Sequence, residues 1–395
     1  MSKRTAPKSD PLDLAGIDDL LSAEEKAVRE TVRRLCDASV EPHIAGWYER
    51  GELPGVRELA RELGSLGLLG MHLEGYGCAG TSAVEYGLAC LELEATDSGL
   101  RSLVSVQGSL AMYAIHRFGS EEQKREWLPR MAAGEAIGCF GLTEPDHGSD
   151  PGGMRTRARR DGSDWVLDGR KMWITNGSVA SVAVVWARTE EGVRGFVVPA
   201  DTPGFSAPPL AHKGSLRASV TSELLLDGVR LPADAVLPGV TGLRGPLSCL
   251  NEARYGILWG ALGAARTCFR TALAYAKERE QFGKPLAGFQ LTQAKLADMA
   301  VELTNGTLLA LHLGRRKDTV GLRPEQVSLG KLNNVNKALE IARSSRTILG
   351  ANGISFEFPV MRHMANLESV LTYEGTAEMH TLMIGQALTG ESALR

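Results

Sequence analysis

The sequence contains no run of eighteen uncharged apolar residues, and its basic first stretch, MSKRTAPKSDPLDL, has no apolar core segment. A bilayer-spanning helix needs about 20 apolar residues, and a secretory signal needs an apolar segment of about 7–15 residues. We therefore expect a protein that neither spans a membrane nor is secreted.

An excess of charge of one sign is also absent. Lys and Arg together number 44 and Asp and Glu 47, a net charge of −3, so no basic field indicates a nucleic-acid or anionic-membrane partner. The six cysteines form no CxxC pair and no Cys/His run at metal-binding spacing. We expect reduced thiols in a cytoplasmic protein, with neither disulfides nor a metal site.

What is present is an ordinary globular composition: 395 residues, 43% of them hydrophobic, with 45 Gly and 17 Pro. Such a chain can form two or three domains with sizeable cores, and its composition excludes collagen, disorder and small disulfide scaffolds. The patterning predicts an N-terminal extension (1–21), an N-terminal helical domain (22–138), a central β domain (139–241) and a C-terminal helical bundle (242–395).

Helical spacing dominates the first and last domains. The capping boxes Ser22-Ala-Glu-Glu25 and Ser120-Glu-Glu-Gln123 each open a helix, the first running to about Trp47. Four long amphipathic stretches follow the β domain, at about 244–280, 286–316, 324–349 and 365–388, with Gly or Pro at the breaks. Four long helices in succession favour an up-and-down bundle.

The central domain consists of short β-branched and aromatic runs between turn signals. The runs are Trp165–Leu167, Met172–Thr175, Val182–Ala187, Gly195–Val198 and Leu224–Leu226, and the turn pairs are Asp161-Gly162, Asp168-Gly169, Asn176-Gly177 and Asp227-Gly228. This pattern predicts an antiparallel β domain. The fold class is therefore α+β, because a parallel nucleotide-binding sheet would alternate strand and helix throughout.

Three segments have the composition of functional loops. Gly75-Tyr-Gly77-Cys-Ala-Gly80 fits G-x-G-x-x-G, but its helical neighbours favour an interhelical turn over a dinucleotide-binding loop. Leu142–Asp150 and Met172–Asn176 are either capped turns at an edge strand or, with rings at Phe140 and Trp173, the lining of a flat heterocycle. Glu374, between Tyr373 and Gly375, is either a solvated helix-cap carboxylate or a catalytic one.

Five motifs in order resemble those of the acyl-CoA dehydrogenase flavoproteins. They are Leu142–Asp150, Trp173–Asn176, Arg279-Glu-Gln-Phe-Gly283, Leu349-Gly-Ala-Asn-Gly353 and Tyr373-Glu-Gly-Thr376, and the resemblance runs from about Ser22 to Gly390. It implies a helical, then β-barrel-like, then helical subunit that binds FAD and forms a homotetramer.

Within that superfamily, four further segments resemble the glutaryl-CoA dehydrogenases. They are Asp97–Gln107, Gly138-Cys-Phe-Gly141, Leu216-Arg-Ala-Ser219 and Cys249–Gly256. The sequence departs from the usual pattern at Leu100, where a Tyr is usual, at Ala351 within the LGGNG motif, and at Ala377-Glu378-Met379.

The resemblance implies roles for individual residues. Glu374 matches the base that removes the Cα proton of an acyl-CoA thioester, and Ala253, which cannot take a proton, stands where some relatives carry their base. The matching FAD contacts are Phe140, Leu142, Thr143, Ser149, Trp173, Thr175, Thr376 and Glu378. Positions that would reach a neighbouring subunit's flavin are Arg279, Phe282, Gln290, Gly350 and Gly353.

The remaining matches concern the substrate. Leu250, Asn251, Arg254, Tyr255, Tyr373 and Gly375 match the CoA and acyl pocket, and Glu94, Arg101, Ser102 and Ser105 match the group around the distal carboxylate of glutaryl-CoA. A guanidinium can hold a carboxylate with two parallel hydrogen bonds. The implied reaction is oxidative decarboxylation of glutaryl-CoA to crotonyl-CoA and CO2, with electrons passing to an electron-transfer flavoprotein. A short- or branched-chain dehydrogenase, an acyl-CoA oxidase and a non-catalytic CoA-ester-binding paralogue remain alternatives.

Overall fold

The computed structural model describes residues 10–393, and the first third of this range is helical. A short 3-10 turn, Ile17–Leu20, precedes α1 (Ala23–Leu35), α2 (Glu41–Arg50), α3 (Val56–Ser65), α4 (Ala83–Thr96), α5 (Ser98–Ser105), α6 (Tyr113–Phe118) and α7 (Glu121–Ala132). Five-residue and seven-residue π-helical segments, Cys36–Val40 and Val106–Met112, join α1 to α2 and α5 to α6. The first helical run therefore extends to Arg50, slightly beyond the predicted end.

Both capping boxes form as the sequence predicts. Ser22 Oγ accepts from the Glu25 amide at 3.2 Å while Glu25 Oε2 accepts from the Ser22 amide at 2.8 Å. Ser120 and Gln123 exchange the same two bonds at the start of α7. Each box satisfies two amide groups that a helix N-terminus would otherwise leave unpaired.

The Gly-rich motif folds as a tight hairpin and not as a dinucleotide loop. Strand β1 (Glu74–Gly75) pairs with β2 (Cys78–Ala79), and Tyr76 and Gly77 turn between them with φ of 51° and 82°. Positive φ at both turn residues is the geometry of a two-residue hairpin. The motif lies between α3 and α4, so the interhelical turn is the correct interpretation.

The central domain is one curled sheet of seven strands. They are β3 (Gly138–Gly141), β4 (Arg157–Asp161), β5 (Asp164–Thr175), β6 (Val182–Thr189), β7 (Gly192–Pro199), β8 (Phe205–Ser206) and β9 (Thr221–Leu231), in the order β3-β6-β4-β5-β9-β8 with β7 also on β6. The sheet is mixed, because β3 pairs with β6 in parallel and β4 meets β6 in parallel at one residue pair.

Two of the predicted turns are wrong. Asp168-Gly169 lies inside β5, and Asp227-Gly228 lies inside β9. At this place Asp168 of β5 stands opposite two residues of β9, Asp227 and Gly228. The Asp168 carboxylate accepts from the Gly228 amide at 2.8 Å, and the register shifts by one residue. The Asp-Gly pairs therefore mark a β-bulge that bends one long hairpin, and the runs at Trp165 and Met172 belong to a single strand.

As far as residue 393, where the described part ends, the C-terminal domain contains five α-helices. They are α8 (Arg244–Glu278), α9 (Gln290–Thr319), α10 (Pro324–Leu349), α11 (Pro359–Thr372) and α12 (Ala377–Thr389), and the small hairpin of β10 (Glu280–Gln281) and β11 (Lys284–Pro285) follows α8. The last predicted stretch begins earlier than expected and is divided into α11 and α12. The division falls at the segment that contains Glu374.

One apolar core joins the first and last domains, because buried side chains of α4, α5, α8, α9 and α10 form a single cluster. Strand β6 is buried on both faces: Val184 belongs to the apolar cluster that the sheet shares with helices α6 and α7, and Val185 to a second cluster formed within the β domain. Burial on both faces explains why β6 reads as a continuous apolar run.

Gln107 links the helical domain to the sheet. It follows α5 in the same continuous helix, and its side-chain Nε2 donates to the carbonyls of Met131 and Ala136 at 3.0 and 2.9 Å. Its Oε1 accepts from the amide of Gly138, the first residue of β3, at 2.6 Å. All three groups are buried, so this amide fixes the entry of the chain into the sheet.

The six cysteines are free thiols, five of them buried. Within residues 10–393, no helix is long and apolar enough to cross a membrane.

Candidate active site

The segment between α11 and α12 carries an unusual backbone. Glu374 has φ of 53° and Gly375 has φ of 97°. A non-glycine residue in the left-handed region costs about 1–3 kcal/mol and persists only where surrounding contacts enforce it. The φ of Gly375 strongly favours glycine, and a Cβ there would also lie only 3.0 Å from His380 Nε2.

Two buried cations hold the carbonyls of this segment. Lys331 Nζ donates to the carbonyls of Tyr373 and Gly375 at 2.5 and 2.7 Å. Arg254 Nε donates to the carbonyl of Glu374 at 2.7 Å. All three successive carbonyls are therefore engaged, and these bonds are the contacts that enforce the left-handed turn.

The carboxylate of Glu374 is left free for chemistry. Its Oε2 is buried and has no hydrogen-bond partner in the described part of the chain. Burial raises the pKa of Glu374, while the positive charges of Arg101, Lys331 and Arg254 oppose that rise. An unpaired carboxylate whose pKa lies above its ordinary value is suited to general-base catalysis.

Arg101 lies on α5 in a buried polar network. Its Nε donates to Glu94 Oε2 at 2.7 Å, its Nη2 donates to the Tyr373 hydroxyl, and its guanidinium carbon lies 5.5 Å from the centroid of the Tyr373 ring. Ser98 Oγ donates to the other Glu94 oxygen at 2.9 Å. Burial raises the pKa of Tyr373 to about 12, so the phenol remains neutral.

This network changes the expected grip on a substrate carboxylate. The sequence predicts two parallel hydrogen bonds from Arg101, but Nε and Nη2 are already engaged by Glu94 and Tyr373. Within the described residues Nη1 makes no hydrogen bond, and Nη2 uses only one of its two N–H groups, so Nη1 is the nitrogen whose donors are both unengaged. Ser102 and Ser105 follow on the same helix, and their buried hydroxyls have no partner among the described residues.

The other predicted substrate residues divide into two groups. Arg254 reaches the Glu374 segment, and its Nη1 donates to Asn251 Oδ1 at 3.0 Å. Tyr255 instead lies in the helical core, where its hydroxyl donates to the Ala83 carbonyl at 2.8 Å. Leu250 is partly buried and packs against the apolar cluster that contains Val184 of the sheet. Leu100 is buried in the cluster that joins the first and last domains.

The predicted flavin residues of the first loop lie where β3 ends. Phe140 and Leu142 are buried, with the Phe140 ring 6.1 Å from that of Trp186. Thr143 is half-buried and its carbonyl accepts from the Met172 amide at 2.8 Å, whereas Ser149 is exposed.

A buried ion pair fixes this loop to β5. Lys171 Nζ donates to Glu144 Oε1 at 2.8 Å and to the Leu142 carbonyl at 3.1 Å. The Glu144 carboxylate also accepts from the amides of Arg155 and Thr156 at 2.5 and 2.9 Å. Burial lowers the pKa of Lys171 to about 8, although Glu144 opposes the shift.

Trp173 is turned out of the sheet by a second irregularity in β5. Its φ is 62°, the register with β9 shifts between Lys171 and Ile174, and 59% of its surface is exposed. Thr175 is half-buried two residues further along the strand. A large exposed indole beside hydroxyl and amide groups fits a flat, hydrogen-bonding heterocycle, so these residues suit a flavin.

Four of the five predicted cross-subunit residues lie on the surface of the chain. Phe282 has 95% of its surface exposed, and Arg279, Gln290 and Gly350 are also exposed. Gly353 is buried, and a Cβ there would lie 2.4 Å from the Arg346 carbonyl. These segments meet at the end of α8, because Asn352 Nδ2, in the turn after α10, donates to the hydroxyl of Tyr275 at 3.0 Å.

Thr376 and Glu378 open α12. The Thr376 hydroxyl accepts from the Met379 amide at 3.3 Å and caps the helix, while the Glu378 side chain is exposed. Thr376 is the last residue of the segment that contains Glu374, and Glu378 is the second residue of α12.

Sequence reasoning did not identify the two lysines. Lys331 lies four residues after Val327 and four before Val335, and all three are buried on one face of α10. A lysine on the apolar face of a helix is a signal that could have identified it. Lys171 is buried in a strand with irregular register, so its sequence context gave no such signal.

Comparison with known proteins places this geometry in a family. The chain matches the models of the N-terminal, middle and C-terminal domains of acyl-CoA dehydrogenases over residues 22–135, 139–229 and 241–389. The chain belongs to the acyl-CoA dehydrogenase family, which consists of oxidoreductases. This confirms the expected fold and enzyme class.

Three individual proteins illustrate the similarity. The crystal structure of glutaryl-CoA dehydrogenase from Mycobacterium smegmatis is 72% identical with a TM-score of 0.97, covering 98% of this chain and 100% of that chain. A glutaryl-CoA dehydrogenase from the same organism in complex with FADH2 is 65% identical with a TM-score of 0.96, over 98% and 99% of the two chains. The mitochondrial short-chain specific acyl-CoA dehydrogenase of Bos taurus is 34% identical over 92% of this chain and 90% of its own length.

Proposed function

We propose that the protein is a glutaryl-CoA dehydrogenase that oxidises and decarboxylates its substrate to crotonyl-CoA and CO2. The observation that carries the proposal is the buried pair of Arg101 and Glu94, bonded to the half-buried Tyr373, beside the unpaired carboxylate of Glu374. A cation at that place can pair with a second carboxylate on the acyl chain. A simple fatty acyl chain has no second carboxylate and would leave the cation unused. The similarity to the Mycobacterium smegmatis glutaryl-CoA dehydrogenases supports the same substrate.

FAD is the cofactor of this family, and a similar structure was solved in complex with FADH2. We propose that Phe140, Leu142, Thr143, Trp173 and Thr175 would hold it in this chain. Ser149, Thr376 and Glu378 complete that set. When bound, FAD supplies the acceptor for the hydride that leaves Cβ of the acyl chain.

Glu374 is the proposed base that removes the Cα proton. Its raised pKa brings its proton affinity closer to that of the carbon acid, and its fixed backbone determines where the carboxylate lies. The Glu374 amide is the proposed donor to the thioester oxygen, which would stabilise the charge that develops during deprotonation.

Arg101 is proposed to bind the distal carboxylate through Nη1. Glu94 keeps the guanidinium from being an isolated buried charge when no substrate is bound, and the unpartnered hydroxyls of Ser102 and Ser105 offer further donors. The negative charge of Glu94 also limits how tightly the carboxylate is held. A moderate grip favours its departure as CO2.

Assembly and electron transfer are part of the proposal. Arg279, Phe282, Gln290 and Gly350 are exposed, with Gly353 buried beneath the same turn, and an exposed position is where residues reaching a neighbouring subunit's flavin in a homotetramer would lie. The proposed electron acceptor is an electron-transfer flavoprotein. The cytoplasmic location expected from the cysteine content remains a prediction.

A short-chain acyl-CoA dehydrogenase is the second candidate, supported by the 34% identity to the Bos taurus enzyme of that specificity. Anaerobic bleaching of the flavin by glutaryl-CoA and butyryl-CoA, followed by measurement of released CO2, distinguishes the two. Faster bleaching by glutaryl-CoA with one CO2 per acyl chain supports the first candidate. Bleaching by butyryl-CoA alone, or no CO2 from glutaryl-CoA, supports the second.

A further inference from the structure

Lys331 is a buried lysine close to the proposed base. It lies on α10 with 1% of its surface exposed, and both of its hydrogen bonds go to backbone carbonyls, those of Tyr373 and Gly375. No salt bridge involving Lys331 occurs within residues 10–393. A buried ammonium group without a carboxylate partner is costly, so its retention requires a reason other than stability.

The two carbonyls lie on either side of Glu374 in sequence. A single Nζ atom bonded to both closes the segment into a tight loop, whose middle residue has φ of 53°. Arg254 holds the carbonyl between them. Lys331 therefore determines the backbone from which the Glu374 carboxylate projects.

Charged groups face that carboxylate from several elements. Arg101 on α5 and Arg254 on α8 are permanent cations, and Glu94 on α4 is paired with Arg101. His380 on α12 is neutral, because burial together with Lys331 and Arg254 lowers its pKa to about 3. Burial lowers the pKa of Lys331 below its ordinary value, so among these cations Lys331 loses its charge most easily.

We propose that Lys331 is a positioning residue for proton abstraction, one that fixes the geometry of the Glu374 loop and, by its charge, favours the carboxylate form of Glu374. This inference rests on the proposed role of Glu374 as the base. Lys331 itself does not touch the reacting atoms.

Its test is an infrared titration of the Glu374 carboxyl group in the FAD-loaded protein without substrate. The band of the protonated carboxyl is assigned by its loss in Glu374→Gln. In Lys331→Met, removal of a nearby positive charge should raise the titration midpoint by about one pH unit. Lys331→Arg keeps the charge and the donors, so its midpoint should stay near that of the parent.

Lys213→Met is the matched control. Lys213 also donates to two carbonyls, those of Leu216 and Ser219 at 2.8 and 2.7 Å, but it does not contact the Glu374 segment. A comparable loss of hydrogen bonds there should leave the midpoint unchanged. Thermal melting and FAD content establish that each variant is folded, and Lys331→Gln replaces Lys331→Met if the latter does not fold.

A second readout is the limiting rate of flavin reduction by whichever acyl-CoA reduces the parent. We expect at least a tenfold loss in Lys331→Met and partial recovery in Lys331→Arg, with the low-pH limb of the rate profile displaced upwards. An unchanged midpoint in a folded Lys331→Met, or an equal displacement in Lys331→Arg, would overturn the proposal. Full activity of Glu374→Gln would instead refute the assigned base, without involving Lys331.

Discussion

Arg101 and Glu94 form a buried ion pair, with Nε 2.7 Å from Oε2 and no more than 1% of either side chain exposed. In such a pair each charge compensates the other, and removal of one partner costs about 3–5 kcal/mol because the second charge is left unpaired. The proposed specificity residue is therefore also a structural one. Experiments on substrate preference must separate the two effects.

The unmodified protein should prefer glutaryl-CoA to butyryl-CoA. One charge-assisted hydrogen bond from Arg101 Nη1 contributes about 1.5–3 kcal/mol. The kcat/KM for glutaryl-CoA should then exceed that for butyryl-CoA by roughly 10- to 150-fold, since each 1.4 kcal/mol corresponds to about tenfold. Glu94 is already paired with Arg101 without substrate, so we do not expect a larger ratio.

Arg101→Met should remove this preference, with turnover of glutaryl-CoA falling while that of butyryl-CoA is retained or rises. The double variant Arg101→Met/Glu94→Gln is the control, because it removes the unpaired charge and should recover part of the lost thermal stability. An unaltered substrate ratio in a folded Arg101→Met protein would contradict the glutaryl assignment.

Glu374→Gln should keep the fold and the flavin but lose at least ~10²-fold in the rate of flavin reduction, because an amide cannot accept the Cα proton. In the unmodified protein the rate should rise with pH through the raised pKa of Glu374, since only the carboxylate accepts a proton. Stopped-flow bleaching over a pH series measures both. Glu368→Gln, an exposed change on α11, is the control and should behave as the parent.

Arg279→Ala should weaken FAD binding and the oligomer together if this residue reaches a flavin phosphate across a subunit boundary. Loss of one charge-assisted bond would cost roughly 1.5–3 kcal/mol. Analytical ultracentrifugation and flavin absorbance provide the two readouts, with Lys277→Ala, exposed two residues earlier, as the control. A tetramer with full flavin content would argue against this placement.

Lys171→Met should destabilise the protein and reduce its flavin content. It leaves the buried Glu144 carboxylate with its two backbone donors but no counter-charge, at a cost of about 3–5 kcal/mol. Thermal melting with and without added FAD measures the effect. The double variant with Glu144→Gln should regain stability; if it melts no higher than Lys171→Met, the unpaired charge is not the cause.

The elements that depend on local signals could be predicted from the sequence. Ser22 and Glu25 form their capping box because both partners lie within one turn, and the interruption of the last helix falls at the segment containing Glu374. The turn predicted at Asp168-Gly169 was wrong because an Asp-Gly pair is compatible with either a turn or a β-bulge. Only the partner strand decides between them, and its Asp227-Gly228 is far away in sequence.

The candidate site was predictable through family resemblance but not in its internal geometry. Nothing local shows that Arg101 Nε and Nη2 are already engaged, because Glu94 and Tyr373 are brought to it by other helices. The place of Lys331 on the apolar face of α10 could have marked it as unusual, but not its role, because its partners are backbone carbonyls, which have no signature in the sequence.

The side-chain amide of Gln107 makes the α5 helix and the start of β3 a single mechanical unit. The helix carries the proposed specificity residues, and the strand leads to the proposed flavin loop. An exchange of α5 alone between relatives, made to change substrate specificity, would therefore also disturb the placement of the cofactor. The natural module for such an exchange is the helix together with its strand.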